Sequence, residues 1–193
     1  MRALLSCLFA AAMILCGPIP AHARDRPAQD ETDEAYSKNE VISAAVHFFG
    51  GAAEGIATVV EKAFRDHGRP NGYIMGEEAS GAFGVGVRYG DGRLVRKIGG
   101  GRKVYWQGPS IGFDVGGNAS RVFMLVYNLG RTNDIFQRFP GVEGSYYFVA
   151  GVGMHYMQSG RVVLAPLRTG VGLRAGVNLN YIHITPDKSF NPF

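Results

Sequence analysis

The segment Gly108-Pro-Ser110-Ile-Gly112 has the spacing of a nucleophile elbow, and Asp114 and His155 follow it in the chain order of a hydrolase triad. That chemistry needs the serine exposed on a sharp turn between a strand and a helix. Here Ser110 leads into Ile-Gly-Phe-Asp-Val, which alternates like a strand, and no helical pattern follows. The sequence therefore predicts no catalytic serine. Glu77-Glu78 is the other tempting pair, but neighbours on a strand point to opposite faces. One exposed and one hydrogen-bonded carboxylate are expected there. The histidines His47, His67, His155 and His183 show no ligand spacing and no cysteine assists them, so neither a metal nor a cofactor is expected. Gly99-Gly-Gly-Arg-Lys103 lacks the spacing of a phosphate loop.

Two sets of residues carry non-catalytic chemistry. Arg88, Arg93, Arg96, Lys97, Arg102 and Lys103 stand against Asp91 alone, which makes residues 88–103 net +5. Tyr105 and Trp106, the single tryptophan, follow directly. Cations beside an aromatic pair suit an anionic headgroup at a membrane surface. Arg96, Lys97, Arg102, Lys103, Tyr105 and Trp106 are accordingly the expected ligand-binding residues, against the plainer reading of a solvated hairpin with a core tryptophan. Asp114 shares a strand face with Gly112 and Gly116, and if that face is interior Arg174 is its expected salt-bridge partner.

The elements that must position these groups begin after an export signal. Arg2, an apolar run from Ala3 to Cys16, the Gly17-Pro18 break and Ala21-His22-Ala23 predict a cleaved leader over 1–23. Both cysteines, Cys7 and Cys16, fall within it, so the mature chain depends on its core for stability. Loss of Arg2 leaves 19 basic against 16 acidic residues. With export, that mild excess argues against nucleic acid. Residues 24–36 are polar and predict a disordered linker.

One domain follows over 37–193. Ser37 and Glu40 form a capping box, and helical periodicity runs from Val41 to Phe64, with Gly68 as a stop. Thirty helical residues exceed a domain of this size, so a bend or break is expected at Gly50, Gly51 or Gly55. After Pro70 the period becomes two, Asp91-Gly92 reads as a hairpin turn, and eight or nine strands follow with only one short helical turn near 132–139. Strands without intervening helices exclude parallel βαβ folds. The fold expected is mainly β: a small antiparallel barrel or strongly coiled sheet of about eight to ten strands, with one amphipathic helix packed on it. Glycines at alternate positions, as in Gly84-Val-Gly86 and Gly170-Val-Gly172, imply a strand face that another backbone, a helix or a ligand approaches closely.

Gly68-Arg-Pro-Asn-Gly-Tyr-Ile-Met-Gly-Glu-Glu-Ala-Ser-Gly-Ala-Phe-Gly84, followed by Gly108-Pro-Ser-Ile-Gly-Phe-Asp-Val-Gly-Gly117, resembles the EipA family. The resemblance runs from about Lys38 to Phe193. It implies a small bacterial periplasmic β-barrel with a helix and a role in envelope integrity under stress, and it carries no catalytic residues. Gly172-Leu-Arg-Ala-Gly-Val-Asn-Leu179 is similar to the closing motif of the SYLF lipid-binding domain, although Asn180 stands where SYLF chains carry an acidic residue. The resulting expectation is a non-enzymatic periplasmic protein that binds a lipidic or apolar envelope component, with an anionic membrane surface as a further partner. The alternatives are an integral outer-membrane barrel and a serine hydrolase on Ser110.

Overall fold

The computed structural model describes residues 34–114, 120–169, 181–189 and 191, with side chains described outside 81–85 and 110–114. The expected leader and most of the linker lie outside the described residues. The Asp114–Arg174 pairing does too.

The single long helix of the sequence reading is two helices, α1 (Lys38–Phe49) and α2 (Ala53–His67). Ser37 Oγ accepts from Glu40 N at 3.3 Å, and Ser37 N donates to Glu40 Oε2 at 2.8 Å, which completes the capping box. The break falls at Gly50, whose φ of 74° lets its N–H reach Val46 O and end α1. Gly55 does not take part in the break. It lies inside α2, where a Cβ would come within 2.9 Å of Ala150 O, so its missing side chain lets the helix settle on the sheet.

Among the described residues, nine strands form one antiparallel sheet: β1 (Gly72–Arg96), β2 (Arg102–Asp114), β3 (Ser120–Tyr127), β4 (Arg138–Pro140), β5 (Tyr147–Val149), β6 (Val152–Met154), β7 (Met157–Ser159), β8 (Val162–Thr169) and β9 (Tyr181–Thr185). The neighbour order is β4-β9-β2-β1-β3-β8-β6-β5, with β7 also on β8. A single antiparallel bridge, Gly141 to Met157, returns the path from β7 to the end of β4. The sheet thus curls into a barrel-like ring.

The unusual element is β1. Fully extended, 25 residues span about 80 Å, yet Lys97 N donates to Asn71 O at 3.2 Å, so its two ends meet. The strand doubles back: residues 72–78 pair with β3 and residues 82–94 with β2. β2 and β3 are consecutive in the chain, as are their outer neighbours β8 and β9. The pairs β2/β3 and β8/β9 therefore flank β1 in nested order.

Asp91-Gly92 is not the turn. Gly92 lies within β1 opposite Val104, and the β1–β2 connection is made at 97–101, with Gly99 and Gly100 at positive φ. Gly92 instead faces the first half of its own strand, where a Cβ would collide with Met75 O and Gly76 Cα. Residues 147–159 are divided among the short strands β5, β6 and β7, with Gly151 at φ 78° between the first two. The short helical turn is a 3-10 turn at Thr132–Ile135, held by Arg131 N donating to Asp134 Oδ2 at 2.9 Å.

Two cores follow from alternation along the strands. Ile74, Leu94, Val104, Trp106, Met124, Leu164 and Phe139 are buried together in the first. Alternate residues Phe123, Leu125, Tyr127, Val163, Ala165 and Leu167 pack beneath Val41, Ala45, Ile56, Val59 and Val60 of the helices. β3 is covered on both faces, which is why residues 122–127 are buried without a break.

Candidate functional site

Residue types that look apolar in sequence enclose a charged centre. Glu78, 5% exposed, follows Gly76 and Ile74 on one face of β1. Trp106 Nε1 donates to its Oε2 at 2.8 Å, and Arg168 of β8 contacts both carboxylate oxygens at 3.1–3.3 Å. Arg88, also buried, donates from Nε to Pro109 O at 2.9 Å. Burial opposes ionisation of Glu78, but the charges of Arg168 and Arg88, with the bonds from Arg168 and Trp106, hold its carboxyl down at about 2. Burial also lowers Arg88 to about 10 against the pull of Glu78, leaving it protonated at neutral pH. His155 is brought down to about 3, first by burial and then by the two arginines, and is neutral.

Glycine makes this packing fit. A Cβ on Gly90 would overlap the Trp106 ring, and one on Gly76 would strike both Asp91 O and the indole. The indole occupies the volume that these two glycines vacate.

Outside this centre lies a cleft of about 260 Å³. Glu77 and Asp91 are exposed at it, Tyr89 and Tyr105 are half-buried, Gln107 is buried, and Lys188 and Ser189 complete one side. Trp106 and Glu78 also line it. The Gln107 side chain is buried, and its Nε2 has no hydrogen-bond partner. Tyr89 is register partner to Gln107, and Asp91 to Tyr105, so β1 and β2 present the four residues as adjacent pairs.

The six residues expected to bind a headgroup do not form one surface. Trp106 is 1% exposed and bound to Glu78, so its indole is not offered to an interface. Arg96 donates to Thr132 Oγ1, Leu129 O and Gly130 O, bracing the turn after β3. Lys97 pairs with Glu40 at 2.6 Å and lies over Tyr36. Arg102 donates to Asn133 Oδ1 and covers Phe136. Lys103 is exposed, 3.6 Å from Asp91 and above Tyr105. Only Tyr105 and Trp106 of the six line the cleft.

Glu77 is exposed and Glu78 buried and bonded, as the alternation of a strand requires. Ser110 lies within β2 opposite Gly86, with no turn at its position. Among the described residues, no group of three or more His, Cys, Asp or Glu side chains gathers as for a metal. No helix among them is long and apolar enough to cross a membrane. Sequence reading missed Arg168 and Gln107. Arg168 carried a usable signal, since it is the charge that ends the apolar run Val162–Leu167.

Residues 34–193 match the family described as Envelope integrity protein A, EipA. The chain belongs to the EipA family. A solved structure with the same architecture is a β-barrel-like, uncharacterized protein from Brucella abortus, 49% identical, with a TM-score of 0.76. The match covers 83% of this chain and 99% of that one. Among curated proteins, none matches. The doubled β1 strand and its glycine contacts therefore occur in a family tied by name to the bacterial envelope.

Proposed function

We propose that this chain is a non-enzymatic periplasmic protein that supports envelope integrity and stress resistance by binding an envelope component at its surface. The observation that carries this reading is the filling of the described interior. Trp106, Phe139, Leu94 and Met124 are fully buried there, and Glu78 is tied to Arg168 above them. An enclosed lipid needs an apolar void, which cavities of this kind provide on the order of 300 Å³ or more. Among the described residues, a cleft of about 260 Å³ rimmed by Glu77 and Asp91 opens beside β1 and β2. Membership of the envelope integrity family supplies the setting. The backbone at Ser110 speaks against acyl-transfer chemistry, because a nucleophile elbow is not built in mid-strand.

The test combines location with phenotype. The protein is expected in the osmotic-shock fraction of its native host, and its deletion is expected to increase sensitivity to detergent. A Ser110→Ala copy should restore resistance fully. Retention in the cytoplasm, or failure of Ser110→Ala to complement while being produced normally, would overturn the reading.

A further inference from the structure

Three connections meet at one end of the barrel. Leu94 lies opposite Arg102, Tyr127 opposite Val163 and Ser159 opposite Val162, so the segments 97–101, 128–135 and 160–161 emerge side by side. Four arginines converge there on residues 129–134. Arg96 donates to Leu129 O, Gly130 O and Thr132 Oγ1, and Arg102 donates to Asn133 Oδ1. Arg131 holds Asp134 Oδ1 from Nε and Nη2, both at 3.3 Å. Arg161 Nη2 stands 3.8 Å from Asp134 Oδ2, beyond hydrogen-bond reach, and beside Gly130, where a Cβ would overlap it. Arg96 and Arg102 thus meet neutral acceptors, and four cations share one carboxylate. Nearby, Lys97 is balanced by Glu40 and Lys103 by Asp91, while Arg93 and Asp187 add one charge of each sign. The surplus stays positive.

This charge is open to a partner. The Arg131 and Arg161 side chains are 89% and 70% exposed. Ile98, on the adjoining turn where Arg96 passes beside Gly99, is the most exposed large apolar side chain among the described residues. A guanidinium fork matches phosphate oxygens. A phosphomonoester carries about −1.5 to −2 at neutral pH with three acceptor oxygens, enough to engage two arginines together. Free phosphate leaves Ile98 in water, whereas a bilayer offers it an apolar boundary. We propose that this end of the barrel docks on a membrane through the phosphomonoester headgroup of an envelope lipid. Arg102, Arg131 and Arg161 donate to the phosphate oxygens, and Ile98 enters the acyl boundary. Arg96 is a positioning residue, because its donors hold the turn. The inference rests on the envelope reading above and names the class of component that is bound.

The full mature chain is sedimented, at about 0.15 M salt, with phosphatidylcholine vesicles in which roughly one lipid in five is phosphatidic acid. Parallel vesicles carry phosphatidylglycerol, a singly charged diester, at the same surface charge. Glycerol 3-phosphate and tetraglutamate are titrated as soluble probes. Saturable binding to phosphatidic acid is expected, at least about tenfold tighter than to phosphatidylglycerol or to either soluble probe. The double variant Arg131→Gln, Arg161→Gln should bind these vesicles about thirtyfold more weakly, as for two cations lost from an anionic surface. Ile98→Ser should lose about tenfold. Lys103→Gln should bind like the parent. If the double variant does not fold, Ile98→Ser carries the test. Equal binding to the two anionic lipids, or an unchanged affinity in the variant that folds, overturns the proposal. Glycerol 3-phosphate or tetraglutamate binding as tightly as the vesicles also overturns it, in favour of a soluble phosphate or an acidic protein segment. Such results in a protein that fractionates with the periplasm and protects the envelope overturn the lipid alone. Cytoplasmic retention overturns the broader reading.

Discussion

The indole of Trp106 donates to the carboxylate of Glu78 over 2.8 Å, and the same carboxylate is held by Arg168 from the opposite side of β1's partner strand β3. One buried acid thereby joins β1, β2 and β8. Breaking a buried charge pair by removing one partner costs roughly 3–5 kcal/mol, because the other charge stays desolvated. Glu78→Gln is therefore expected to lose stability in that range by urea denaturation. Trp106→Phe removes a single donor and should cost less, about 1–3 kcal/mol including the lost ring area. A Glu78→Gln protein within about 1 kcal/mol of the parent contradicts the assignment.

Acid should unfold this protein through the same centre. His155 is held neutral in the fold, down at about 3 against an ordinary 6.5, by burial and by Arg168 and Arg88. Between those values the unfolded chain binds a proton that the fold does not, so stability falls as pH falls. Glu78, at about 2 against an ordinary 4.5, is ionised in the fold, and its contribution is present above about 4.5 and lost on approach to pH 2. Both act in one direction, each with a slope of at most about 1.4 kcal/mol per pH unit. His155→Gln should flatten the decline between pH 6.5 and 4.5 and leave the steeper loss below it. A parent profile that is level from pH 7 to 4.5 counts against this account.

The basic segment separates structural from exposed cations. Arg96 braces Leu129, Gly130 and Thr132, so Arg96→Gln is expected to lower the melting temperature by several degrees, about 1–2 kcal/mol. Lys103 has a side chain 62% exposed and should leave the melting temperature unchanged on substitution by Gln. Sedimentation with phosphatidylglycerol vesicles is expected to be weak and to vanish at about 0.15 M salt, where exposed charges are screened. Salt-resistant binding that Lys103→Gln abolishes would restore the headgroup reading of this segment.

The architecture was legible where local rules act alone. Ser37 and Glu40 announced a helix start, and the change of period after Pro70 announced an antiparallel sheet. What misled was punctuation with two physical meanings. Asp91-Gly92 has the composition of a hairpin turn, but Gly92 is needed for contact with Gly76, a relation between residues sixteen positions apart. Likewise Gly55 looked like a helix breaker and is a contact with the segment after β5. The basic residues were counted correctly as a charge, but their partners Glu40, Thr132 and Asn133 lie on other elements, so no window of sequence contains the pairing. Gln107 was invisible for a related reason: its register partners Tyr89 and His183 lie on other strands, far from it in sequence.

The glycine face supplies the sharpest test of the doubled strand. A Cβ at Gly76 would meet Asp91 O, Gly92 Cα and the Trp106 ring, of which two are backbone and cannot rotate aside. Gly92 has the reciprocal contacts with Met75 O and Gly76 Cα. Forcing one carbon into such a contact costs typically 1–3 kcal/mol and here moves two strands, so Gly76→Ala and Gly92→Ala should lie at or beyond the upper end. The double variant is expected to cost less than the sum of the two, because the first Cβ already separates the halves of β1. Gly51→Ala is the control, since a Cβ there meets nothing within 4 Å and no left-handed φ is required. It should be neutral or stabilise by up to about 1 kcal/mol through the unfolded chain. Equal and small effects at all three glycines, measured by thermal and urea unfolding, would show that the halves of β1 do not touch, and the arch would have to be abandoned.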